Sequence, residues 1–131
     1  MNSENLQIIS DMLLMAKADN VIHEREYNFI LVVAKRMGVS KMEVDALIKN
    51  PQDKMVYKTE MQRLTQFHRL LLVMNVDEET HFVEIDALRN YGLKLGIRPE
   101  AIEQILSEMD DYEHKMIPSQ RLMEIFKRFY N

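Results

Sequence analysis

A chain of 131 residues with 17 Lys and Arg against 21 Asp and Glu carries a formal net charge of −4. It shows no basic stripe that could neutralise a row of phosphates, so a nucleic-acid partner is not expected. It has no cysteine, which excludes disulfides, zinc knuckles, iron–sulfur clusters and thiol nucleophiles. With 47% apolar residues and only three Gly and three Pro, the chain is too hydrophobic for disorder and too poor in turn formers for a β-sandwich or barrel. The N-terminal MNSENLQIISDM carries an acid and no basic cluster, and no apolar run reaches the ~18 residues of a membrane span. A cytoplasmic protein without an anchor is the expectation.

Helical periodicity runs from end to end and predicts a compact all-α bundle of about seven helices, in a single domain over 1–131. Leu6, Ile9, Met12, Leu13 and Ala16 mark the inner face of a first helix that stops near Asp19 and Asn20. A second helix, beginning just after His23, carries Tyr27, Ile30, Val33, Ala34 and Met37 to Gly38, where a residue without Cβ suits a left-handed helix end closed by Val39. Ser40-Lys41-Met42-Glu43 reads as a capping box for a short third helix through Val44, Leu47 and Ile48, ended by Asn50-Pro51. An exposed linker through Gln52, Asp53 and Lys54 follows.

Thr59-Glu60-Met61-Gln62 forms a second capping box. The fourth helix then runs through Leu64, Phe67, Leu71 and Met74, and its unbroken apolar run Leu70–Met74 marks it as central. A fifth places Phe82, Ile85, Leu88 and Leu95 on one face and stops at Gly96; Pro99 then suits the first position of a sixth through Ile102, Ile105 and Met109. After a polar loop at Asp110 and Asp111, Pro118 and Ser119 open a last helix with Leu122, Ile125, Phe126 and Phe129 on one face. Its Lys127 and Arg128 are basic, and the helix is expected to dock on the domain.

The chain repeats itself. A shift of 58 superposes Gly38 on Gly96, Leu13 on Leu71, Leu14 on Leu72, Asp19 on Asp77, His23 on His81 and Glu26 on Glu84. The matches fall at helix junctions and caps, which predicts two structurally repeated hairpins, about 10–48 and 68–106.

The segment ADNVIHERE, with Asp19, Asn20, Ile22 and Glu26, has the spacing of the second half of an EF-hand loop. Its first half fails. The positions that should supply oxygens hold Met15 and Lys17, and in the second repeat Val73 and Asn75, too few donors for calcium. Two readings of the acidic residues stand. In one, Glu26 at the third helical position accepts the N–H of residue 23, Asp19 makes an Asx-type turn, and Asp77 and Glu84 repeat the arrangement without an ion. In the other, the two junctions meet, and Asp19, Glu26, Asp77 and Glu84 with His23 and His81 form one pocket of mixed oxygen and nitrogen donors for a divalent ion such as manganese or zinc. His68 reads as a core or boundary residue, His114 as part of a solvated loop, and the methionines as core filling. No phosphate loop, serine elbow or H-E-x-x-H motif is present. An enzyme would have to work through Asp and Glu alone, as a metal-dependent hydrolase.

The repeated elements, ADNVIHEREYNFI with AKRMGVSKMEV and MNVDEETHFVEIDAL with GLKLGIRPEAI, resemble the TerB-like family of tellurite-resistance proteins over roughly residues 5–109. Asn20 stands where that pattern has glycine, a place asparagine tolerates. Glu78 and Thr80 make the second loop a degenerate copy. The resemblance implies a non-enzymatic helical binding or scaffold domain that meets protein partners in a stress-response assembly, with divalent-ion binding at the acidic junctions as an alternative.

Overall fold

The computed structural model describes residues 3–54, 57–76 and 82–130, and among them the chain is an all-α bundle without strands. Its helices are α1 (Ser3–Ala16), α2 (Glu24–Arg36), α3 (Lys41–Lys49), α4 (Glu60–Asn75), α5 (Phe82–Lys94), α6 (Pro99–Glu108) and α7 (Ser119–Tyr130). The stretch read as a polar loop after α6 is tighter than expected, because two 3-10 turns, Met109–Asp111 and Glu113–Lys115, carry the chain to α7. His114 is exposed there and left-handed, with φ 57°.

The boundaries follow local chemistry. In α3 the Ser40 hydroxyl accepts the Glu43 N–H at 3.1 Å while the Glu43 carboxylate accepts the Ser40 N–H at 3.0 Å. Thr59 and Gln62 do the same for α4, both at 3.0 Å. Each exchange satisfies donors that the first helical turn leaves open. Gly38 (φ 75°) and Gly96 (φ 82°) end α2 and α5 in the left-handed region. There Val39 N–H donates to Ala34 O at 2.8 Å and Ile97 N–H to Gly92 O at 2.9 Å, the long-range bond of a Schellman end.

Buried side chains from all seven helices join one core. Centrality is shared: α1 packs on α2, α3, α4 and α5, whereas α4 packs on α1, α2 and α5, so the long apolar run of α4 marks one of two central helices. The final helix docks as expected, with Leu122, Ile125 and Phe126 buried and its packing on α6. Arg121 grips Glu108 of α6 with two bonds of 2.7 and 2.8 Å; these, with a bond from Gln104, hold the Glu108 carboxyl down at about 2. The methionines divide. Met12, Met15, Met74 and Met109 fill the core, but Met42, Met61 and Met116 face solvent, because helical spacing alone does not distinguish a core face from a protruding one.

The shift of 58 read in the sequence is structural. It carries α2 onto α5 residue for residue, and α1 and α3 onto α4 and α6 to within a residue or so at each end. Ile9 falls on Phe67, Leu13 on Leu71, Met15 on Val73, Ala16 on Met74 and Ile30 on Leu88, all buried. The acidic residue at the equivalent place in α3 and α6 ties each to the preceding helix through a different partner. Asp45 accepts the Tyr27 hydroxyl at 2.5 Å, while Glu103 takes two bonds from Arg89 at 2.8 and 3.0 Å. The halves also meet through a bond between equivalent positions, since Gln66 Nε2 donates to the carbonyl of Ile8, 58 residues before it, at 3.2 Å.

Two glycines test different constraints. A Cβ on Gly92 would lie 2.5 Å from Ile102 Cδ1 and 3.0 Å from Phe67 Cε1. Overpacking costs about 1–3 kcal/mol, more than the ~1 kcal/mol of helix propensity that alanine returns, so Gly92→Ala is expected to lose about 1 kcal/mol in urea unfolding. A Cβ on Gly38 meets nothing within 4 Å, so Gly38→Ala should lose about 1–2 kcal/mol from its left-handed backbone alone. A neutral or stabilising Gly92→Ala would contradict the close approach of α4, α5 and α6.

Candidate functional site

The first junction is built as its own residues dictate. Asn20 takes the left-handed conformation, φ 72°, which lets the chain reverse between α1 and α2. Asp19 Oδ1 accepts the Val21 N–H at 3.2 Å, the expected Asx-type turn, and Asp19 Oδ2 lies 3.1 Å from His23 Nε2. Burial pushes the Asp19 carboxyl up, but the bonds from His23 and Val21 outweigh it and hold it below its usual value. Glu26, at the third position of α2, accepts the His23 N–H through Oε1 at 3.0 Å. Its side chain is 0% exposed.

Glu84 occupies the same place in α5 and is also 0% exposed. The remaining two members of the sequence-predicted set, Asp77 and His81, lie outside the described residues. Of the other four, the structure joins Asp19 to His23 through their side chains and His23 to Glu26 through the helix cap. Among the described residues no three His, Asp or Glu side chains gather as a metal-holding group. The proposed six-residue set therefore turns on Asp77 and His81. His68 is half-buried at the α4–α7 boundary, where burial pushes its pKa down.

Phe82 departs from expectation. Read as part of the inner face of α5, it is 86% exposed, next to Val83 at 50%, and Val21 of the first junction is 54% exposed. Phe82 is the first residue of α5, one turn before the face formed by Ile85 and Leu88 meets the core. The periodicity holds for the helix and fails for its end.

A second polar site lies on α1, and sequence reasoning missed it. The linker after α3 has the exposed side chains expected at Asp53 and Lys54, yet its backbone is fastened down. Gln52 N–H donates to Ser10 Oγ at 2.9 Å, Gln7 Nε2 to Gln52 O at 2.9 Å, and Lys54 N–H to Gln7 Oε1 at 2.7 Å. Tyr57 OH then donates to Asp11 Oδ2 at 2.7 Å, with Gln7 Nε2 2.8 Å from Asp11 Oδ1. Burial raises the Asp11 carboxyl above its ordinary value despite these bonds, and it pushes the neighbouring Tyr91 phenol up to about 12. The signal was present: Gln7, Ser10 and Asp11, at i, i+3 and i+4, form a polar stripe on an otherwise apolar helix.

Compared with known proteins, the chain matches no protein-family model, no curated protein and no solved structure. No helix among the described residues is long and apolar enough to cross a membrane.

Asp11 sets a pH dependence. Its carboxyl binds a proton more tightly folded than unfolded, so it favours the folded state fully below 3.8 and that contribution is lost as pH rises through the higher folded value. Tyr57→Phe removes the hydroxyl that supports the ionised form, and a hydrogen bond to a charged group is worth about 1.5–3 kcal/mol. Urea unfolding at pH 7 should show that loss, shrinking as pH falls toward 3.8. A penalty independent of pH would place the effect in packing instead.

Proposed function

We propose that this is a TerB-like, non-enzymatic binding or scaffold domain that meets protein partners of a stress-response assembly. The repeat supports the family reading, since a single shift relates three helices, two left-handed glycine ends and two buried junction glutamates. The observation that carries the binding function is the apolar exposure at the helix junctions, above all Phe82 in water at 86%. Phe82 and the adjacent Val83 together expose apolar surface that adds little to the core, and adjoining exposure of this kind suits a partner surface. Phe82→Ser with Val83→Ser should leave the melting temperature unchanged while cross-linked complexes of the tagged protein, formed in its own cells, disappear. Unchanged complexes would sink this reading.

The alternative reading is a divalent-metal-binding or sensing module at the acidic junctions. Supporting it, Glu26 and Glu84 are fully buried at equivalent helix starts, the first of them beside an Asp19–His23 pair. Calorimetry with manganese, zinc and calcium, on the wild type and on a variant with Asp19, Glu26, Asp77 and Glu84 all replaced by Ala, separates the two. If the residues only cap, each lost cap costs about 0.5–2 kcal/mol and added metal moves neither melting curve. A metal-dependent rise in the wild type, abolished in the variant, would establish the second reading. The metal-dependent hydrolase remains the weakest reading, for among the described residues no three His, Asp or Glu side chains gather to hold the metal it would need.

A further inference from the structure

Tyr57 sits between two residues related by the repeat, Asp11 on α1 and Arg69 on α4. It bonds to Asp11 and leaves Arg69 without a carboxylate. The Arg69 guanidinium has five N–H donors, yet among the described residues its one hydrogen bond goes from Nη1 to Gln66 Oε1 at 3.1 Å. Gln66 is itself fixed, since its Nε2 holds Ile8 O. Burial weakens the charged form of Arg69, with Tyr57 as the opposing influence.

Arg69 lines a cavity of about 190 Å³ between α1 and α4, with Glu4, Ile8, Tyr57, Thr59, Met61, Gln62 and Thr65. Gln62, Thr65 and Arg69 stand at i, i+3 and i+7, one face of α4. The orientation of the Gln62 amide is set by its neighbours. Its Oε1 accepts two backbone N–H groups, from Lys58 at 2.8 Å and Thr59 at 3.0 Å, so the other end must be the NH₂ and has no protein acceptor among the described residues. Hydroxyls of Thr59 and Thr65 add donors, and Ile8 and Met61 give an apolar wall.

We propose that this cavity binds a small monocarboxylate with a short apolar chain, its carboxylate on Arg69 and Gln62 and its chain against Ile8 and Met61. A planar carboxylate matches the guanidinium fork. The apolar wall of Ile8 and Met61 suits a short hydrocarbon chain, which inorganic phosphate lacks.

The test is a ¹⁵N NMR titration of the full chain with sodium butyrate, neutral butyramide and inorganic phosphate. Butyrate should give saturable shifts at Gln62, Thr65 and Arg69, with butyramide and phosphate far weaker. Arg69→Met should weaken butyrate roughly tenfold or more, the size of a lost bond to a charged group. Gln62→Glu serves as the second variant, because glutamate keeps the oxygen that caps α4 but replaces the NH₂ donor with a negative charge; it should lose binding at an unchanged melting temperature. Equal binding of butyramide, tighter binding of phosphate, no saturable shift, or wild-type affinity in Gln62→Glu would each overturn the proposal.

Discussion

The structure depends on the contact between α1 and α4. Each helix is the first of its half, the two pack on each other, and each buries nearly the same set of positions, from Ile9 and Phe67 to Ala16 and Met74. The burial of one large apolar side chain contributes about 1.5–3 kcal/mol, and this seam concentrates many of them. The bond from Gln66 to Ile8 O fixes its register, because a donor reaching its own repeat equivalent lies where the two halves coincide. Once α1 and α4 are paired in this way, α5 is brought against α1 and α2 against α4. The symmetric cross-packing follows from one interface.

Symmetry is broken where the chain must connect its halves. The linker between α3 and α4 is fastened to α1 by Gln7, Ser10 and Asp11, whereas the equally long connection after α6 forms two 3-10 turns that lead to α7. The single hydroxyl of Tyr57 is donated to Asp11 and not to the Arg69 side. Asp11 therefore has a hydroxyl partner where its equivalent Arg69 has open donors beside a cavity. A duplicated scaffold thus acquires a site that neither half would have alone. The packing differs too, for the pairing of α1 with α3 has no match of similar extent between α4 and α6, and α6 instead takes up α7.

Signals confined to a few neighbouring residues were the legible ones. Both capping boxes, both glycine ends, the Asx-type turn at Asp19 and the glutamate cap at Glu26 were read correctly because each is a short-range pattern with a single geometric solution. The 58-residue repeat was legible for the same reason, being anchored on those patterns. What escaped depends on distant chain. Nothing near Asp11 shows that Tyr57 will cover it, and nothing near Phe82 shows that the core ends one turn later. Gln66 would pass for a surface residue, yet it is wholly buried by α1.

The junction glutamates raise a physical demand that capping does not make. A helix cap needs one oxygen at the third position, and the fold meets that need elsewhere without deep burial: Glu43 does so half-buried and Gln62 does so exposed and uncharged. Glu26 performs the same exchange with the His23 N–H, but from a place with no solvent access, where a carboxylate loses its hydration and must be compensated by hydrogen bonds or opposite charge. Glu84 lies equally deep in the other half. A glutamine in place of Glu26 would retain the cap and avoid the cost of a buried charge. Capping thus accounts for the spacing between the acidic residues and for one oxygen of Glu26. The depth has a different cause: Glu26 and Glu84 stand four residues before Ile30 and Leu88, on the helix face that the core buries in each half.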